Sequence, residues 1–195
     1  LTGDEIAMSS YQPPGEATDI MRLKVFHLHS ELLLSNVVPM LENLGFLVIG
    51  EHPYRLSPKG RDVIWLHEFT LQFSLRTGLD VPGVRENFQQ AFLAVWQQRA
   101  DNDAFNWLVV GARLDWRSVA VMRAYARYMK QLGTAISADF IAHTLSSNLE
   151  ITRNLVALFK LHFDPRLTSG EGERGERAER LESKILDALD KVSNL

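Results

Sequence analysis

The chain has 195 residues, 46% hydrophobic and 23% charged, a composition near the soluble globular average that excludes wholesale disorder, collagen-like repeats and small disulfide-framed proteins. Its 21 Lys and Arg against 24 Asp and Glu leave a formal net charge of −3, so the basic excess that drives non-specific binding to nucleic acid or anionic lipid is missing. With no cysteine present, disulfides, thiol catalysis and thiolate zinc sites are ruled out, which fits a reducing compartment such as the cytoplasm.

The length allows one large domain or two small ones, enough to remove roughly 70% of the unfolded surface from water. No run approaches the ~18 apolar residues a membrane span needs. The start, LTGDEIAMSS, lacks the basic-then-apolar order of a signal peptide. Beginning at Leu1 rather than Met, the chain reads as a piece of a longer polypeptide.

Residues 1–19 hold Ser9, Ser10, Pro13, Pro14 and Gly15 and read as an irregular, turn-rich lead-in. Residues 21–29, MRLKVFHLH, alternate at period two and read as a strand, with His27 and His29 on one face. In LLLSNVVPMLENLG, Ser35 or Asn36 is expected to cap a helix carrying Val37, Met40, Leu41 and Leu44 inward, with Gly45 as its stop. FLVIGEHPYRLS and VIWLHEFTLQFS read as two further strands joined by turn chemistry over 57–62. In the second, Trp65, His67, Phe69, Leu71 and Phe73 share the face expected to point at the core. The fold class is therefore α+β: an antiparallel sheet in the order strand, helix, strand, strand, with helices on one side.

After Gly78 the period changes from two to 3.6 and stays there. Pro82 opens a helix whose face carries Phe88, Ala91, Phe92, Val95 and Trp96. A second helix is expected over 101–114, capped by Asp101 or Asn102. Asp115 caps a third, with Val119, Met122, Tyr125, Ala126 and Met129 as its apolar stripe and Gly133 as its stop. Ser137 caps a short fourth through Phe140, Ile141 and Leu145, and a fifth buries Ile151, Leu155, Leu158 and Phe159 before Asp164 and Pro165 end it. Residues 166–179 are polar and glycine-rich, which composition reads as a flexible linker. Residues 180–195 form an amphipathic helix on Leu181, Ile185, Ala188, Leu189 and Val192, expected to dock on a missing segment or on a neighbouring copy.

Chemistry is hard to find. His27, His29, His52 and His67, with Glu31, Glu51 or Glu68, could be imagined as a zinc or copper site, but their spacing is loose and ordinary histidines are the commoner outcome. Glu51 and Glu68 as an acid–base pair would need two environments facing one cleft. The GxGxxG, GxxxxGK and GxSxG patterns are all missing. Arg113, Arg117, Arg123 and Arg127 could hold a carboxylate or phosphate, although a solvated, ion-paired face is more usual. The residues point to a binding or scaffolding module with no catalytic, cofactor-binding or metal-binding residue.

Three stretches carry a resemblance. SNVVPMLENLGFLVIGEHPY, VIWLHEFTL, and the helical run from FQQAFLAVWQQRADNDAFNWL to MRAYARYMKQLG resemble, in order, the large bacterial NAD-dependent glutamate dehydrogenases. FIAHTL and LVALFKLHFDP continue the same order, so that the likeness runs from about Pro14 to Pro165. Departures are mild: His52 stands where arginine is usual, and Leu66 and Glu68 replace isoleucine and aspartate. The resemblance implies an ACT-like, ferredoxin-like module over 20–78 and a helical domain over 79–165, both preceding the catalytic domain. It implies a parent enzyme that oxidises L-glutamate to 2-oxoglutarate and ammonium with NAD as cofactor, while this stretch is non-catalytic and holds no cofactor. Its implied partners are the rest of the parent polypeptide, above all the catalytic domain, and further copies in a homo-oligomer, with no nucleic acid and no membrane. ACT-like modules often bind amino acids where the first strand meets its helix. Here that place is 30–36, with Ser35 and Asn36 the effector-binding candidates; plain N-capping is the simpler role for both. The alternative from another class is a stand-alone amino-acid sensor.

Overall fold

A computed structural model describes residues 6–74, 80–167 and 170–192. Gly78, where the period changes, lies outside the described residues, as do Thr168 and Ser169 of the expected linker and the last three residues of the expected final helix. The chain divides into two compact units, Leu1–Trp116 and Arg117–Leu195.

The first unit is built on a four-stranded sheet. Its strands are β1 (Ile6–Tyr11), β2 (Ile20–Leu28), β3 (Phe46–Leu56) and β4 (Ile64–Phe73), in the spatial order β1-β2-β4-β3 with every neighbouring pair antiparallel. Helix α1 (Leu34–Asn43) joins β2 to β3 across β4, which makes a split β-α-β unit. Helix α2 (Val81–Trp96) follows β4. A βαββαβ module would now add a strand; here the fourth strand is β1, which comes first in the chain and lies beside β2. The lead-in expected to be irregular over 1–19 therefore contains an edge strand. Its alternation rests on buried Ile6 and Ser10, too few large apolar side chains to stand out among the serines.

Strand alternation sets the core. Met21, Leu23 and Val25 of β2 face Leu71, Phe69 and His67 of β4, and all six are buried. The face expected to be inward on β4 is the buried one, from His67 to Phe73. Val37, Met40 and Leu41 of α1, with Val84, Phe88 and Phe92 of α2, cover this side. Phe88 meets the edge of Phe46 at 5.3 Å and Phe73 tilts onto Phe46 at 5.4 Å. Each large side chain taken from water in this way stabilises the fold by roughly 1.5–3 kcal/mol before entropy is counted.

Helix starts depart from expectation at α1 and before α3. Helix α1 starts at Leu34 behind Leu33, with no side-chain cap; Ser35 and Asn36 lie inside its first turn and are exposed. The helix expected over 101–114 is a short 3-10 turn (Ala104–Asn106) leading into α3 (Trp107–Gly111). Asp103, rather than Asp101 or Asn102, accepts the Phe105 N–H at 3.1 Å and starts it there. At α2 the Asp80 carboxylate accepts the Gly83 N–H at 3.2 Å, with Pro82 in the first turn as expected.

The second unit holds α4 (Trp116–Gln131) from its second residue, α5 (Ala138–Ser147), α6 (Leu149–Phe163) and α7 (Glu171–Leu189). Ser137 caps α5, accepting the Phe140 N–H at 3.1 Å. On α4 the buried face is Ser118, Val119, Met122, Arg123 and Ala126, while Tyr125 and Met129, expected inward, are exposed. Tyr125 instead meets Phe159 edge-on at 6.1 Å. The largest difference is α7, helical from Glu171 where a flexible linker was expected through 179. Arg174 bonds the Leu161 carbonyl at 2.9 Å and the His162 carbonyl at 3.1 Å, anchoring its first turns on the end of α6. Arg180 pairs with Glu176 one turn earlier at 2.9 Å, and Ala178 is buried. No helix among the described residues is long and apolar enough to cross a membrane.

Candidate functional site

The sequence candidates are dispersed by the pleat. Glu51 sits opposite Phe69 on the helix-covered face, whereas Glu68 sits opposite His52 on the other face. An acid–base pair facing one cleft is therefore not formed by these two carboxylates. His52 and His67 belong to paired strands, but the bulge between Val48 and Gly50 leaves them on opposite faces. His29 does not share a face with His27: β2 ends at Leu28, and His29 turns outward and is exposed. Among the described residues no group of three or more His, Asp or Glu could hold a metal ion. Arg113 pairs with Asp80 at 3.3 Å, while Arg123 is buried on α4 and Arg117 and Arg127 are exposed.

What the fold does assemble lies where β2 hands over to α1. His27, 6% exposed, presents Nδ1 to the Ser30 carbonyl at 2.8 Å, so that nitrogen carries the proton and donates it. Its Nε2 is buried without a hydrogen-bond partner, and its ring meets Trp96 edge-on at 6.0 Å. His67, 1% exposed, accepts the Leu32 N–H at Nε2 (3.2 Å) and donates from Nδ1 to Glu51 at 2.7 Å. Its ring stacks between Trp65 and Phe69 along β4. Two buried imidazoles thus hold one short loop. The loop itself is under tension: His29 has φ +67, and Ser30 N–H reaches back two residues to the Leu28 carbonyl at 2.8 Å, a γ-turn of the strained hand. Sequence alternation placed both imidazoles on strands; nothing in it announced that Leu32 would turn its N–H onto His67.

The opposite face of the sheet is electrostatically organised. Glu68 accepts the Tyr11 hydroxyl at 2.8 Å and lies 3.6 Å from Lys24, whose ammonium sits 5.3 Å over the Tyr11 ring. The Glu68 hydrogen bond, helped by burial, raises the Tyr11 phenol above its usual 10.0. Arg22 bonds Glu16 at 2.7 Å and Thr70 at 2.6 Å, and the bond to Glu16 raises its already high pKa further. These are positional networks with every charge accounted for.

Ser35 and Asn36, the effector candidates, stand exposed in the first turn of α1, beyond the loop that His27 and His67 grip. The helix start offers backbone N–H groups that no side chain caps.

Comparison with known proteins agrees with this architecture. The family described as glutamate dehydrogenase, ACT3 domain, matches residues 5–84, and glutamate dehydrogenase, helical motif 3, matches residues 100–165. The NAD-specific glutamate dehydrogenase of Halomonas elongata is 46% identical over 99% of this chain and 12% of its own length. That of Pseudomonas aeruginosa is 40% identical over 97% of this chain and 12% of its own length. That of Mycobacterium tuberculosis is 32% identical over 74% of this chain and 9% of its own length. The chain spans about an eighth of the Halomonas and Pseudomonas relatives, and over that stretch it belongs to the family of NAD-specific glutamate dehydrogenases.

Proposed function

We propose that this chain is a non-catalytic structural and regulatory segment of an NAD-dependent glutamate dehydrogenase, a cytoplasmic enzyme converting L-glutamate, NAD and water to 2-oxoglutarate, ammonium and NADH. In this reading NAD and the reacting groups belong to other parts of the polypeptide. The ACT-like module and the helices behind it pack against the catalytic domain and hold a homo-oligomer together. The single observation that supports the reading is that this stretch matches about an eighth of the NAD-specific glutamate dehydrogenases of Halomonas elongata and Pseudomonas aeruginosa, which leaves most of such a polypeptide to carry NAD and the reacting groups. The test is an assay of this chain alone with glutamate and NAD. No NADH is expected, and steady NADH formation removes the proposal.

A second reading, amino-acid sensing, is favoured by the uncapped start of α1 beside Ser35 and Asn36. A carboxylate bound there would take the free N–H groups and the positive end of the helix dipole. Calorimetric titration with glutamate, aspartate and arginine separates the two readings. Saturable micromolar binding that is lost in Ser35→Ala or Asn36→Ala supports sensing, and silence supports a purely mechanical role.

A further inference from the structure

We propose that the loop between β2 and α1 is a proton-operated latch, in which protonation of His67 at Nε2 releases the Leu32 N–H and loosens residues 31–33. The argument starts from donors and acceptors. His67 has two ring nitrogens and both are used: Nδ1–H donates to Glu51, and the Nε2 lone pair accepts the Leu32 N–H. A proton taken up at Nε2 turns the acceptor into a donor. Two N–H groups then face each other at a separation of 3.2 Å, and the contact changes from attraction to repulsion. The Nδ1–H bond to Glu51 is unaffected by the added proton.

The charged ring would have a counter-ion already in position. Glu51 stands 2.7 Å from Nδ1 and is itself only partly exposed. Other ionisable groups around His67 are few. His27 lies on the same face of β2, and Arg55 of β3 is exposed opposite Trp65. Glu31 in the loop, Glu42 on α1, and Arg85 and Glu86 on α2 are all exposed. Trp65 and Phe69 flank the ring along β4, and Glu51 stands at its Nδ1.

His27 supplies the hinge. Its bond to the Ser30 carbonyl runs from Nδ1–H, a donor in both the neutral and the charged ring, so acid leaves that contact standing. The loop is therefore held at Ser30 and freed at Leu32. Because the loop runs directly into an uncapped helix, release alters the first turn of α1.

The test is amide hydrogen exchange on the whole chain from about pH 8 to about pH 5, with each rate divided by its intrinsic value. The Leu32 amide is expected to lose about tenfold in protection, the scale of one hydrogen bond, while the Leu23 amide in the core of β2 keeps its own. In His67→Gln, whose side-chain oxygen accepts without titrating, Leu32 protection is expected to stay flat. Glu51→Gln, which removes the counter-ion, is expected to move the midpoint to lower pH. In the unaltered chain the ¹⁵N shift of His67 Nε2 should change over the same pH range as Leu32 protection, a readout that needs no variant to fold. Constant Leu32 protection, equal losses at Leu32 and Leu23, or an Nε2 shift that moves in a different range would each overturn the latch.

Discussion

Gly45 is seated against the indole of Trp107: a Cβ built on Gly45 would lie 2.8 Å from Trp107 Cδ1 and 3.0 Å from the Phe73 ring. The residue ends α1 at φ +95, a backbone conformation that L side chains rarely adopt. Trp107 completes the contact by stacking on Phe73 at 6.2 Å and donating its indole N–H to Ser74 at 3.2 Å. The start of α3 is thereby fixed to the end of β4 through a gap only glycine leaves open.

Gly45→Ala is accordingly expected to destabilise the first unit by about 3 kcal/mol, combining left-handed strain with overpacking of an aromatic neighbour. Gly60, at φ +73 with open space around it, gives the comparison. Gly60→Ala carries the strain without the clash and should cost about 1 kcal/mol. Urea unfolding of both variants measures the difference, and equal losses would show that the Trp107 contact contributes nothing.

Capping makes a sharper contrast. Ser137 accepts the Phe140 N–H at the start of α5, so Ser137→Ala should cost about 1 kcal/mol. Ser35 and Asn36 make no cap at α1, and their alanine variants should stay within about 0.5 kcal/mol of the parent in thermal unfolding. A large loss at Ser35 or Asn36 would reveal a structural duty that the exposed first turn does not display.

How far sequence carried the fold depended on how much of each element was decided by its own side chains. β4 was legible because His67, Phe69, Leu71 and Phe73 alternate cleanly and all four are buried. β1 was not, since an edge strand with Ile6 as its main apolar anchor takes its definition from pairing with β2. The first turns of α7 were hidden for the same reason: glycines 172 and 175 argue against a helix locally, and the opposing interactions come from Arg174 reaching α6. At the site, alternation could place His27 and His67 on strands, but the loop between depends on a left-handed His29 that no local pattern required. Long-range backbone-to-side-chain bonds such as Leu32 to His67 have no period to detect.

The Arg174 contact is open to direct test. Its guanidinium donates to two carbonyls in the last turn of α6, where the negative end of the helix dipole lies. Arg174→Ala should fray the beginning of α7, lowering the helical circular dichroism signal and stability by about 1–2 kcal/mol. Arg174→Lys keeps the charge but not the forked geometry, and should recover only part of the loss. An unchanged spectrum in Arg174→Ala would mean that Glu176, Arg180 and buried Ala178 suffice to hold the helix.

The end of α6 also carries a titration whose sign is fixed. Asp164, the residue that closes the helix, accepts Arg166 Nε at 2.9 Å and its terminal nitrogen at 2.8 Å, together with the Arg166 backbone N–H at 3.0 Å. These bonds, the side-chain pair first and the backbone bond second, lower the Asp164 carboxyl from 3.8 to about 2. A carboxyl depressed in the folded state stabilises that state above its unfolded value, and the contribution fades as pH falls from 3.8 towards about 2. The Arg166 guanidinium is exposed while Asp164 is partly covered, so salt is expected to weaken the pair from the arginine side. Arg166→Ala should return the Asp164 midpoint most of the way to 3.8, read from its side-chain carbonyl ¹³C shift, and should remove the stability that the pair adds above that pH, a loss that shrinks in added salt. A midpoint that stays near 2 in Arg166→Ala would assign the shift to the α6 terminus itself, and a midpoint already near 3.8 in the parent would show that the forked pair does not persist in solution.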